Sequence, residues 1–294
     1  MIQQLLPAGV VAVETFEDVS GEPVFPGEED LVAKAVEVRR REFVTARRCA
    51  REALAKLGYA PAPIRSGPKR EPRWPAGVVG SITHTTGFRA AAVAPRSVLA
   101  SVGIDTEQNG RLPDGIEESI TVPGEPEMLA ALARAFTVTH WDRLLFSAKE
   151  SIYKAWYPLT GRWLGFEEAR LMVDPAGTFA AKLLINGARK DGGPPLYRSR
   201  LGRACARGRD PIWNGRRLPR RLVYVGSRGI DFKRRVVVEA RPLPAQPAQP
   251  HPGLPRIALR HGSKMRADLA KHGLGVSQWD TANEMNGMLD RHVG

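Results

Sequence analysis

Three carboxylates and a set of cationic side chains are spaced so that they could act together on a phosphate. In Val102–Glu107 a strand period of two puts Val102 and Ile104 on one face and Asp105 and Glu107 together on the other. Two such acids repel each other unless a cation lies between them, and taken alone the pair reads as an exposed strand face. Turn signals on both sides and a continuous apolar backing favour a core strand whose acids point into a cleft. Further along, Glu150 and Lys154 align at i,i+4, with Lys149 beside them. That spacing is the commonest decoration of a solvated helix, but Phe146, Tyr153, Trp156 and Tyr157 leave little solvated surface here. Carboxylates from a strand and a helix, with no Cys or His cluster, form an oxygen-only set that suits Mg²⁺ rather than zinc. Arg39, Arg47, Lys69, Arg70, Lys149 and Lys154 supply more positive charge than one phosphate requires. His84, which ends a strand before Thr85-Thr86-Gly87, reads equally as a phosphate donor and as a packed histidine.

The elements that must carry these residues alternate between helix and strand. Phe43, Ala46, Ala50, Ala53, Leu54 and Leu57 mark the apolar face of a helix between Leu31 and Gly58, whose other face holds Arg39, Arg40, Arg41, Arg47, Arg48 and Arg51. Like charges at i,i+4 cost helix stability, so this crowding suggests an anionic ligand as much as a solvated surface. A basic loop rich in Pro and Gly follows from Ile64 to Gly77. Val78–His84 and Phe88–Ala94 read as a hairpin-like unit, Leu99–Thr106 as a strand, and Thr121–Phe136 as containing a short helix. Trp141–Tyr157 reads as a strong helix halted at Pro158.

With 294 residues the chain can bury a core without disulfide staples, as one large domain or two smaller ones. Cys49 and Cys205 lie far apart, and no apolar run reaches the ~18 residues of a membrane span. Disulfide scaffolds, zinc ribbons and transmembrane proteins are excluded, and the first residues lack the features of a secretory signal, so the cytoplasm is expected. The formal charge of +13 is unevenly placed. Residues 1–186 carry 22 Lys and Arg against 23 Asp and Glu, which leaves 22 basic and 8 acidic residues to 187–294. A break this sharp marks a candidate boundary. Beyond it, Arg220–Val225 and Arg234–Ala240 read as a hairpin within 220–240, pairing Leu222–Val225 with Val236–Val238. Six prolines between Pro242 and Pro255 favour an extended linker.

Gly80–His84 (GSITH), Gly103–Glu107 (GIDTE) and Phe146–Lys154 (FSAKESIYK), in that order and spacing, resemble the 4′-phosphopantetheinyl transferases of the surfactin and enterobactin activating type, particularly the actinobacterial carrier-protein-activating enzymes. The likeness also takes in Arg39–Arg51, the Gly67–Pro72 loop and Trp141–Leu145, and covers about residues 1–186. It implies an α+β fold of two pseudo-twofold related lobes, 1–98 and 99–186, followed here by a basic, partly disordered Arg/Gly/Pro-rich extension over 187–294. It implies transfer of 4′-phosphopantetheine from coenzyme A to a serine of apo acyl or peptidyl carrier proteins of polyketide, nonribosomal-peptide or fatty-acid synthases, with adenosine 3′,5′-bisphosphate leaving. Carried over by position, Asp105, Glu107 and Glu150 would hold Mg²⁺, and Arg39, Arg47, Lys69, Arg70 and His84 the phosphates of coenzyme A. Lys149 and Lys154 would contact the pyrophosphate. Glu150 would be the base, directly or through water, and Lys154 would stabilise the leaving group.

Two other classes compete. The surplus charge after position 186 would suit a nucleic-acid-binding protein, without any helix-turn-helix, zinc or aromatic-strand signature; beside a transferase role it would give only nonspecific contact. A metal-dependent phosphatase would share the acids. A monomer is expected.

Overall fold

The computed structural model describes residues 2–175, 178–193, 196, 198–206, 212–213, 216–217 and 221–227. Helices and strands mix throughout, as an α+β chain should. Among the described residues ten strands are formed: β1 (Val11–Thr15), β2 (Val78–Thr85), β3 (Phe88–Pro95), β4 (Ser101–Glu107), β5 (Ala169–Asp174), β6 (Thr178–Leu183), β7 (Arg198–Ala206), β8 (Ile212–Trp213), β9 (Arg216–Arg217) and β10 (Arg221–Ser227). The helices are α1 (Glu37–Ala55), α2 (Ile116–Ile120), α3 (Glu125–Ala135) and α4 (Trp141–Thr160). One antiparallel sheet has the order β1-β3-β2 and a second β4-β10-β7-β6-β5, while β8 and β9 pair by themselves.

Strand β3 is covered on both faces, and its small side chains make that possible. Ala91 and Val93 pack with Cys49, Ala50, Ala53 and Leu54 of α1. Ala90, Ala92 and Ala94 pack on the opposite side with Ile2, Leu6, Val102 and Ile104. Burial on both sides outweighs the poor strand preference of alanine. The Ile104 N–H donates to Ser81 Oγ (3.1 Å), joining β4 to β2 of the other sheet. Behind β4, α4 packs into a third core with Leu129, Leu144, Leu145, Phe146, Ile152, Trp156, Leu171 and Phe179.

Two expectations need correction. Helix α4 does not halt at Pro158 but runs on to Thr160. Thr160 Oγ1 donates to the Trp156 carbonyl (3.1 Å), and the Gly161 N–H donates to the Tyr157 carbonyl (2.8 Å) at φ +67°, so the last turn closes despite the missing proline donor. The partners of Leu222–Val225 also differ from those expected: strand β10 pairs with β4 on one side and β7 on the other, and Val236–Val238 lie outside the described residues. Residues 228–294, including the proline-rich run, lie outside the described residues. The second sheet thus takes β7 and β10 from beyond the charge break at 186.

Gly103 sets the distance between β4 and α4. A Cβ built there would lie 1.9 Å from the Ser151 carbonyl oxygen and 2.8 Å from the Ala155 nitrogen, both backbone atoms that cannot swing aside. Gly103→Val is therefore expected to destabilise the fold by at least roughly 1–3 kcal/mol, the usual cost of overpacking, and to lower activity with it. Urea unfolding of the two proteins measures the difference.

Candidate active site

A cavity of about 630 Å³ opens between the two sheets, lined by Asp105 and Glu107 of β4, Glu150 and Lys154 of α4, Arg39, Phe43 and Arg47 of α1, His84 at the end of β2, and Ser66 and Arg70 of the basic loop. The close approach at Gly103 brings strand and helix acids to one wall. Lys154 Nζ donates to Asp105 Oδ1 (2.7 Å), and Ser147 Oγ to Asp105 Oδ2 (2.7 Å). Glu107 accepts from Arg143 (3.3 Å), whose guanidinium also reaches the carbonyls of Gly110 and Arg111. Burial, helped by the neighbouring Asp105 charge and opposed by Lys154, pushes the Glu150 carboxyl up to about 8. Among the described residues, no three of His, Cys, Asp or Glu are set to hold one metal ion as they stand.

The opposite wall is cationic. Arg47 is almost buried, donating from Nε to the Ile64 carbonyl (3.1 Å) and from a terminal nitrogen to Ser66 Oγ (3.1 Å). Its guanidinium lies over the Phe43 ring at 3.6 Å, and burial lowers its pKa to about 10. Arg39 stands 2.8 Å from His84 Nε2 and donates to Glu42 (2.8 Å). Burial first, then the Arg39, Lys154, Arg89 and Arg47 charges, hold His84 well below its ordinary value, so the ring is neutral. Arg70 is presented by a tight turn at φ +61°, in which the Arg70 N–H donates to the Gly67 carbonyl.

The structure therefore gathers Arg39, Arg47, Arg70, His84, Asp105, Glu107, Glu150 and Lys154 around one cavity. It does not bring Lys149 or Lys69 there. Lys149 is buried on another face of α4, where it donates to the Ile120 carbonyl (2.6 Å), Glu125 (2.8 Å) and the Phe166 carbonyl (2.9 Å). All three ammonium protons are used, so the expected contact with pyrophosphate is withdrawn. The reason is helical geometry: one residue beyond Lys149 turns the chain by about 100°. Lys69 shares the turn with Arg70 but is not among the residues lining the cavity. Three more arginines of α1 serve other partners, Arg41 with Glu37, Arg48 with Glu22 and Glu52, and Arg51 with Glu28. Sequence reasoning missed Phe43 and Ser66 as cavity residues, and Ser147 and Arg143 as partners of the acids.

Residues 27–94 match a family model described as the 4′-phosphopantetheinyl transferase N-terminal domain, and residues 101–192 match the 4′-phosphopantetheinyl transferase superfamily. The chain is 54% identical over 191 residues to 4′-phosphopantetheinyl transferase Svp of Streptomyces mobaraensis, covering 64% of this chain and 78% of that protein. Over 204 residues it is 49% identical to 4′-phosphopantetheinyl transferase Npt of Nocardia iowensis, covering 67% and 90%. A more distant relative is enterobactin synthase component D of Escherichia coli K12, 40% identical over 119 residues, covering 40% and 54%.

Two outcomes follow from this arrangement. Lys149→Met breaks a fully buried ion pair and strands Glu125, so it is expected to cost about 3–5 kcal/mol of stability, read by urea unfolding, while the folded fraction keeps the wild-type KM for coenzyme A. His84 is neutral when folded but accepts a proton near pH 6.5 when unfolded. Stability from this group is present above that pH and is lost as the pH falls through it. The drop in denaturation midpoint between pH 7 and 5 should be smaller in His84→Asn.

Proposed function

The chain belongs to the 4′-phosphopantetheinyl transferase superfamily and transfers 4′-phosphopantetheine to carrier proteins, and on that premise we propose that the cavity between the sheets is where the transfer takes place. The observation that supports this reading is that one cavity carries acids on one wall and guanidinium groups on the other. Coenzyme A joins a 3′-phosphorylated adenosine through a pyrophosphate to a pantetheine arm, and such walls sort its parts. Arg39, Arg47, Arg70 and the neutral His84 take the phosphates, chiefly the 3′-phosphate, by charge-assisted and neutral hydrogen bonds. Lys154 faces the pyrophosphate, where its ammonium stabilises the charge that grows on the departing adenosine 3′,5′-bisphosphate.

A serine hydroxyl is a weak nucleophile at neutral pH and needs a base. Glu150 is proposed for this role: burial raises its proton affinity above that of an ordinary carboxylate, and the nearby Lys154 charge favours the ionised form that must accept the proton. Asp105, fixed by Ser147 and Lys154, keeps the neighbouring negative charge in place.

The donor set also fits Mg²⁺ in kind, being three hard carboxylates on one wall, one of them raised by burial and by the neighbouring Asp105 charge. We propose that Asp105, Glu107 and Glu150 hold the ion, with Lys154 and Arg143 giving up part of their present hold on the acids. Bound there, Mg²⁺ would neutralise pyrophosphate charge. The two halves, each with a long helix packed on a sheet, are proposed as pseudo-twofold related lobes. Carrier proteins of nonribosomal-peptide, polyketide or fatty-acid synthases are the proposed acceptors. No helix among the described residues is long and apolar enough to cross a membrane.

The test is transfer to an apo carrier protein, followed by the mass gained on its serine. Glu150→Gln, which keeps shape and loses the base, is expected to reduce kcat at least 100-fold. Arg47→Ala should raise KM for coenzyme A about ten- to hundredfold, as a contact of roughly 1.5–3 kcal/mol would, and should change KM for dephospho-coenzyme A less. Full turnover by Glu150→Gln removes that residue from the chemistry.

A further inference from the structure

Glu28 is among the most deeply buried acids of the described residues, at 1% exposure, and it comes from the turn-rich segment before α1 rather than from any motif. One of its carboxylate oxygens accepts from Arg51 (2.8 Å) and from the backbone N–H of Ile64 (2.6 Å). The other faces Arg47 Nε at 3.9 Å and is buried without a hydrogen bond. Ile64 begins the basic loop and lends its own carbonyl to Arg47 Nε, and two residues later Ser66 holds the far end of the same guanidinium. Apart from the Phe43 ring, the contacts that fix Arg47 in the cavity are thus tied to this one carboxylate, by charge on one side and through the loop backbone on the other.

A buried acid is costly unless it is paired, and removing it would leave two arginines crowding each other, since Arg51 and Arg39 already act on Arg47 as like charges. We infer that Glu28 is the positioning residue for Arg47: it sets the guanidinium and the Ile64–Ser66 edge of the loop in the geometry that receives a phosphate of coenzyme A. This rests on the proposed role of Arg47. Glu28 itself does not line the cavity, so it acts through another group and touches no substrate.

The experiment compares Glu28→Gln, Arg47→Ala and the double variant in transfer to an apo carrier protein, with KM for coenzyme A and kcat measured separately. Glutamine keeps an acceptor for Ile64 and Arg51 but turns an amide toward Arg47. The expected result is a KM raised five- to twentyfold in Glu28→Gln with kcat within twofold of wild type, and a double variant no worse than Arg47→Ala, because both changes remove the same contact. A KM unchanged in Glu28→Gln, beside a raised one in Arg47→Ala, overturns the inference and leaves the role of Arg47 standing. So does a double variant in which the two effects multiply. An unchanged KM in Arg47→Ala overturns the assignment of Arg47 itself and the inference with it. If Glu28→Gln does not fold, Glu28→Asp takes its place: shorter by one methylene, it should still raise KM at constant kcat, and an unchanged KM there is the contrary result.

Discussion

Strand β4 and helix α4 meet backbone to backbone at Gly103, whose missing side chain leaves room for the Ser151 carbonyl. From that contact the geometry of the acidic wall follows. Two residues along the strand, Asp105 comes within reach of Ser147 and Lys154 on the helix, and Glu107 comes within reach of Arg143. Glu150 lies between them in the helix sequence and is pushed up by burial first and by the Asp105 charge second. A strand held farther from the helix by a methyl group would separate the acids from their partners. The site is thus set by a packing distance before it is set by any charge.

The cationic wall is organised differently, by buried ion pairs. Glu28 holds Arg51 and the loop beside Arg47, while Glu42 holds Arg39 and stands 3.5 Å from Arg89. Arg89 also pairs with Asp18 and bonds the Thr85 and Phe88 carbonyls. On the far side of α4, Glu125 accepts from Lys149 and from the Val122 and Leu171 backbones. Such pairs contribute little net stability, because removing two charges from water costs about what their attraction returns. What they do here is join segments distant in sequence at fixed angles.

Much of this could be read from the sequence, and what could not has physical causes. The strands at 78–85, 88–95 and 101–107 and the helices α1 and α4 announce themselves by period, and the acids by their placement on one strand face. Lys149 stands beside Glu150 in sequence but not in space. Its position three residues after Phe146 and three before Ile152 already put it on the apolar face. Glu28 carries no local sign at all, since its partners lie 23 and 36 residues away. The first strand, β1, is too short and half-buried to stand out, and β7, with three arginines among small residues, shows no sustained apolar alternation to betray it. Its strand form comes from its neighbours β6 and β10, not from its own residues.

The order β4-β10-β7-β6-β5 also imposes a schedule on biosynthesis. A strand made early, the one bearing Asp105 and Glu107, finds its sheet partner only when Arg221–Ser227 has been synthesised. At translation rates of about 5–20 residues per second, the β4 edge stays open for several seconds on each nascent chain, a period in which unpaired strands invite chaperones or other nascent chains. The first sheet, complete by Pro95, has no such wait. Nascent molecules therefore carry a settled cationic wall before the acidic one has its final support.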